Sequence, residues 1–187
     1  EPAVVIPLAL AAGTYAAGVR RVWRDAGVGR GIRRWEAACF AGGWLTLVIA
    51  LASPVHALGE MLFWVHMAQH LMITMIAAPM FLLATPTWLA RLVIGDGKAR
   101  TLVTKLCRPV VAGVAFNAAF VFTHWPSAVN TSVTSAPIHY GLHWLIFSTA
   151  LLMGMSVCGT LPELRLSLPA QMIYLFCQSI VPTIPSA

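Results

Sequence analysis

The sequence predicts an all-α membrane protein, in which transmembrane helices form a single helical bundle over residues 1–187. Two observations carry this prediction. Hydrophobic residues make up 59% of the chain and charged residues only 10%, whereas about 25% of the residues of a soluble domain are charged. The apolar residues are also gathered into runs of about 20 residues, which is the length that crosses a hydrocarbon core of about 30 Å. Because lipid offers no hydrogen bonds to the backbone, these runs are expected to be helical.

Six runs of the sequence are candidates for membrane spans. They are separated by short connections that are basic or contain proline. The predicted spans cover about residues 3–18, 37–53, 61–85, 109–125, 138–158 and 169–187. The last run ends without a helix cap or a charged flank, so we expect it to be cut short and a seventh span to follow it.

The basic residues predict the orientation of the spans. All 12 Lys and Arg residues lie in the first, third and fifth connections, whereas residues 54–60 and 126–137 contain none. Short loops rich in Lys and Arg stay on the cytoplasmic side, so the N-terminus is predicted to lie outside. The net charge of +6 is therefore assigned to membrane orientation and to contact with anionic lipid headgroups, and no nucleic-acid partner is expected.

The histidines form the main candidate site, because this topology puts all of them in outer loops or in the outer half of a span. Two pairs, His66 with His70 and His139 with His143, have i,i+4 spacing, which places both imidazoles of a pair on one helix face. Neutral imidazole suits copper, zinc, iron and nickel. Ionisable groups within spans are costly, so a functional role is the default interpretation. The residues alone leave metal binding and interhelical hydrogen bonding open.

Other side chains on the outer side are candidates to complete a metal site. His124 ends the fourth predicted span, and His56 lies in the first outer loop. Glu60 can orient an imidazole or be a solvated charge. Met67 offers a soft thioether, and methionine also packs as an ordinary apolar residue. The four cysteines show neither CxxC nor paired spacing, so no disulfide framework and no zinc module is predicted.

An ordered set of motifs resembles the polytopic CtaG family of cytochrome c oxidase assembly factors. The set runs from HMAQHLMITMIAAPMFLLATP at residues 66–86 to THWPSAVNTSVTSAPIHYGLHW at residues 123–144. It contains an HxxxH pair, an apolar Ala-Pro run, an HxP motif and a second HxxxH pair. The resemblance covers roughly residues 35–187. It implies a multi-pass protein of the bacterial inner membrane that is needed to assemble haem-copper oxidases of the aa3 and caa3 kind, with its usual seventh span beyond residue 187.

The resemblance also implies a copper role for the histidines. Carried over motif by motif, it assigns five metal ligands, with His56 outside the motifs: His66, His70, His124, His139 and His143. The expected function is a chaperone rather than an enzyme, which takes copper from a periplasmic donor and serves the oxidase subunits. Two other classes stay open, namely a haem-binding or di-metal membrane oxidoreductase and a metal-free scaffold subunit. The i,i+4 pairs and the lack of a CxxCH motif argue against haem.

Overall fold

A computed structural model describes the backbone of residues 2–183, and their side chains except at 2, 3, 56, 57, 60, 133 and 181–183. Within this part every regular element is a helix and there is no strand, which confirms the all-α prediction. The chain divides into two compact units, Glu1–Leu89 and Ala90–Ala187. The single transmembrane domain stays a prediction.

The first unit contains a long N-terminal helix followed by a helical hairpin with a short helix between its arms. Its elements are α1 (Pro2–Ala26), α2 (Arg34–Ala52), α3 (Pro54–Met61), α4 (Phe63–Leu71), a π-helical segment (Met72–Ala77) and α5 (Ala78–Ala84). The last three elements form one continuous helix, Phe63–Ala84. The widened π-helical segment directly precedes Pro79 in α5. Since proline has no N–H and its ring collides with the carbonyl four residues earlier, a local widening is its physical consequence.

The rest of the chain contains a second hairpin of the same kind. Its elements are α6 (Thr87–Ile94), α7 (Lys98–Leu106), α8 (Pro109–Thr123), α9 (Pro126–Thr134), α10 (Ala136–Met155), a 3-10 turn (Pro162–Leu164) and α11 (Leu168–Thr183). Three of these helices, α6, α7 and α9, lie in segments that were predicted as connections. Proline occupies the first or second position of α8, α9 and α10, where its missing N–H costs no hydrogen bond.

The helices support a membrane protein. Arg34–Ala52, Phe63–Ala84 and Ala136–Met155 are each long and apolar enough to cross a membrane, and they coincide with three of the predicted spans. α7 and α8 meet the same criterion together, but they bend by 68° between them, so they add a fourth span only if the pair counts as one broken helix. The count of six spans and the outside N-terminus stay predictions.

Small residues let the arms of the first hairpin approach closely. A Cβ atom at Gly43 of α2 would lie 3.1 Å from Cβ of Met80 and 3.3 Å from the ring of Phe81. Phe81 in turn meets Phe40 edge-on, and Tyr15 of α1 stacks on Phe40 with 3.6 Å between ring centroids. Close backbone approach at small residues is a usual way in which membrane helices associate.

The second unit is held together by polar contacts as well as by apolar packing. Asn117 of α8 donates its Nδ2–H to the side-chain oxygen of Gln178 in α11, as expected of interhelical amides in lipid. Gly113, on the same face of α8, leaves the space that the Gln178 side chain fills. Elsewhere, Glu163 lies 3.7 Å from Arg91 and 3.8 Å from Arg100, so the 3-10 turn is linked to α6 and α7.

Replacing Gly43 with leucine should destabilise the first hairpin. The new side chain would collide with Met80 and Phe81, and overpacking of this kind costs about 1–3 kcal/mol. The measurement is the thermal unfolding midpoint of the purified protein in detergent. The control is Gly13→Leu in α1, where a Cβ atom meets no atom within 4 Å. Equal midpoints for the two variants would contradict this close packing.

Candidate functional site

The first histidine pair lies near the start of the helix Phe63–Ala84. The extended residue Leu62 (φ −126°, ψ 110°) precedes this helix, so His66 and His70 are its fourth and eighth residues. The Nε2 atoms of the two rings are 2.8 Å apart. Since this is a hydrogen-bond distance, one Nε2 carries the hydrogen and the other accepts it. His70 is 4% exposed and His66 is half-buried, so the pair has an inner and an outer member.

The second pair has the same position in α10. The extended residue Ser135 (φ −140°, ψ 103°) precedes this helix, and His139 and His143 are its fourth and eighth residues. Their ring centroids are 4.5 Å apart, the same separation as in the first pair. His143 is 5% exposed and His139 is half-buried. The Nε2 atoms of both rings are buried.

Backbone carbonyls select the tautomer of two histidines. Nδ1 of His143 lies 3.1 Å from the carbonyl oxygen of His139, and Nδ1 of His124 lies 2.7 Å from that of Phe120. A carbonyl oxygen only accepts, so in the neutral ring Nδ1 carries the hydrogen and Nε2 keeps its lone pair. Metal-binding imidazoles usually have this arrangement, in which the second ring N–H donates to a carbonyl or carboxylate.

Within the described part of the chain, the structure brings the predicted ligands together as two pairs, His66 with His70 and His139 with His143. Among the described side chains, no three His, Cys, Asp or Glu residues form a group that could hold one ion. His124 therefore does not join His139 and His143 in such a group, and its ring stacks on Phe120 instead, with 4.3 Å between centroids. The pair of His66 and His70 belongs to the first compact unit and the other three histidines to the second. All four cysteines are free thiols.

The other predicted ligands remain untested. The backbone of His56 and Glu60 belongs to α3, and their side chains lie outside the described residues. α3 packs closely on α4, because a Cβ atom at Gly59 would be 3.6 Å from Cα of His66. Met67 directly follows His66, which turns its side chain about 100° around the helix. Ligation of a metal by any of these histidines, by Glu60 or by Met67 stays a prediction.

Gln69 is a site residue that the sequence interpretation missed. It lies directly before His70 and is 1% exposed. Its Nε2 donates to the carbonyl oxygen of Ala50 at 2.9 Å, and its Oε1 is 3.1 Å from the place of a Cβ atom at Gly59. The Ala50 carbonyl is among the last four of α2, which helix hydrogen bonds leave unmet. One amide thus connects α2, α3 and α4 beside the first pair. The sequence did contain a signal for this role, because Gln69 is an amide inside an apolar predicted span.

Replacing Gln69 with leucine should weaken this junction. The substitution leaves a buried carbonyl without its donor, which costs about 1–3 kcal/mol. The thermal midpoint in detergent measures the loss. The matched control is Gln171→Leu, which removes a similar bond to the carbonyl of Leu166 in the connection before α11, where water can replace it. If both variants lost the same stability, Gln69 would have no special role.

The tautomers of His124 and His143 can be tested directly. In the metal-free protein at high pH, ¹⁵N spectra of histidine-labelled samples should show Nδ1–H and an unprotonated Nε2 for both residues. His124→Ala and His143→Ala identify the signals. Nε2–H signals for either residue would show that the carbonyl contact does not determine the tautomer of that ring.

A protein-family model described as cytochrome c oxidase caa3 assembly factor (Caa3_CtaG) matches residues 13–187, nearly the whole chain. The match confirms the resemblance of the motifs, extends it to α1 and includes all five motif histidines. No curated protein and no solved structure matches the chain.

Proposed function

Because the chain belongs to the family of cytochrome c oxidase caa3 assembly factors, we propose that it assists oxidase assembly by binding copper at its histidine pairs and passing it on. Copper is the cargo in this proposal, and the chain is a chaperone rather than an enzyme. Cytochrome c oxidase subunits are the acceptors. The donor is a copper-carrying protein on the same side of the membrane.

The distance between the two Nε2 atoms of His66 and His70 is the observation that supports copper best. Metal–nitrogen bonds to imidazole are about 2.0 Å long, so nitrogens 2.8 Å apart would subtend an angle of about 90° at a shared ion. A small rotation of the half-buried His66 ring opens that angle. When an ion binds, the hydrogen between the rings moves to Nδ1 of the ring that carries it, and both Nε2 atoms become ligands.

The exposure of the two rings suits a carrier that must also release its ion. Two imidazoles leave coordination positions open, which an incoming ligand can occupy. Such a ligand reaches the pair at its more exposed member, the half-buried histidine. The buried inner histidine keeps its place through packing. Donor and acceptor can therefore exchange the ion from the same direction.

The basic residues of the sequence support the location of this exchange. With Lys and Arg on the cytoplasmic side, both pairs lie near the outer ends of their helices and the N-terminus is outside. In a bacterial inner membrane this is the periplasmic side, where copper would arrive. The same orientation leaves the basic helix α7, with Lys98, Arg100 and Lys105, at the cytoplasmic headgroups.

A metal-free scaffold is the second candidate. The hydrogen bonds of the histidines favour it, because His66 bonds to His70 and His143 bonds to the carbonyl of His139. In that case the histidines would stabilise the helices, and the protein would assist assembly by holding oxidase subunits.

A quadruple variant should abolish copper binding and reduce the copper content and activity of the oxidase in cells. This variant carries alanine in place of His66, His70, His139 and His143. Copper is measured by mass spectrometry on protein that is purified and loaded anaerobically. The control carries four alanines at exposed residues of the same helices: Trp64, Leu71, Trp144 and Leu145. A wild-type protein without copper, together with impaired oxidase in the quadruple variant, would reject delivery in favour of the scaffold. Unchanged oxidase in the quadruple variant would reject any role for the pairs.

A further inference from the structure

The two histidine pairs occupy the same place in two hairpins of the same construction. Each hairpin has a long first helix, α2 or α8, and a short helix that begins with proline, α3 or α9. One extended residue, Leu62 or Ser135, then precedes the second long helix. The histidines are the fourth and eighth residues of that helix in both cases.

A set of residues that includes the histidines recurs 73 positions later in the chain, which is the offset between His66 and His139. We call this set the stripe. Five identities follow this offset: His66 and His139, His70 and His143, Ile73 and Ile146, Ala77 and Ala150, Met80 and Met153. In α10 their spacing of 4, 3, 4 and 3 residues keeps the set on one helix face. In the first helix the π-helical segment Met72–Ala77 interrupts the regular period, and His70, Ile73 and Ala77 are nevertheless all buried. Both isoleucines and both alanines are fully buried.

Positions that flank this stripe or lie opposite it differ between the two helices. At the same offset, Gln69 corresponds to Leu142, Thr74 to Phe147, and Pro79 to Leu152. Identity is therefore concentrated on the face that carries the histidines. A general similarity of two apolar helices would spread identities around the whole helix, so the stripe requires a cause that acts on that face.

The first helices of the hairpins pack at corresponding positions. Gly43, Leu47 and Ala50 are buried in α2, and the positions 73 residues later, Phe116, Phe120 and Thr123, are buried in α8. The residue types differ at these positions, so α2 and α8 share the pattern of buried positions without sharing the sequence. In both hairpins the first helix packs against the long second helix, and beside the inner His70 the neighbouring Gln69 donates to Ala50 at the end of α2.

We propose that each hairpin is a complete copper-binding unit, so that the chain binds two copper ions, one at His66 and His70 and one at His139 and His143. This inference rests on the proposed copper function. Both ligands of a pair come from a single helix, one turn apart, so the site forms without any contribution from the other hairpin. The recurring Ile and Ala are buried below the inner histidine in both helices, so the packing of the helix, and not only the ligand pair, recurs in each hairpin.

The number of bound ions tests this inference. The whole protein in detergent is titrated anaerobically with Cu(I) against a chromophoric Cu(I) chelator. Wild type should bind two equivalents, H66A/H70A and H139A/H143A one equivalent each, and the quadruple variant none. X-ray absorption spectra of the two double variants should both show two nitrogen ligands per copper at about 2.0 Å.

Four results would overturn the proposal of two independent sites. Complete loss of copper in either double variant would mean that both pairs contribute to one site. One equivalent in wild type would mean such a shared site or binding at one pair alone, and copper delivery would remain valid in either case. An absence of copper from wild type would reject the delivery function as well. Two equivalents that persist in the quadruple variant would place copper at other residues.

Single substitutions keep the test valid if a double variant does not fold. H70N and H143N replace each buried inner ring with a smaller polar side chain. Each variant should lose one equivalent and keep the other with unchanged affinity. Loss of both equivalents from a variant with a wild-type thermal midpoint would again indicate one shared site.

Discussion

Polar side chains within apolar helices must find their partners inside the protein, and the rest of this structure depends on that constraint. His143 donates to the carbonyl of His139, and Asn117 reaches across to Gln178 in the second unit. Gln69 donates to the end of α2 in the first unit. Each of these bonds joins a side chain to one defined neighbour. These side chains are therefore held in defined orientations by partners within the protein.

The same constraint suits the histidines to the ligand role that we propose for them. A ring whose Nδ1–H donates to a carbonyl presents Nε2 as a lone-pair nitrogen, so binding a metal there requires no change of tautomer. The i,i+4 spacing brings a second Nε2 to the same face, and burial of the inner ring limits its motion. Pre-organisation of this kind reduces the loss of conformational entropy on ligand binding. The copper proposal therefore requires small movements of the outer ring and, in the first pair, the transfer of one hydrogen from Nε2 to Nδ1 of the same ring.

Conformational breaks before the histidine helices determine how the pairs are presented. Leu62 and Ser135 are extended, and each ends a short helix before the long helix starts. Because each long helix begins three residues before its first histidine, both pairs lie in the first turns of their helices. The recurring Ile, Ala and Met then continue the same face into the helix interior. In our interpretation, each of the two hairpins presents a histidine pair in the same structural setting.

The ordered motifs of residues 66–144 predicted the family by resemblance. Helical periodicity and composition were sufficient to predict the helical class, three helices that are long and apolar enough to cross a membrane, and the pairing of histidines within each helix. These features follow from residues close together in the chain, because spacing along one helix decides which side chains share a face. The 73-residue recurrence was also present in the sequence, although its meaning needed the burial of Ile73 and Ile146. Only the tertiary structure decided that His70 and His143 are the inner members, that Gln69 bonds to Ala50, and that residues 126–134 are helical. Those outcomes depend on which helix packs against which face, and such long-range contacts are not encoded in the spacing of residues along a single helix.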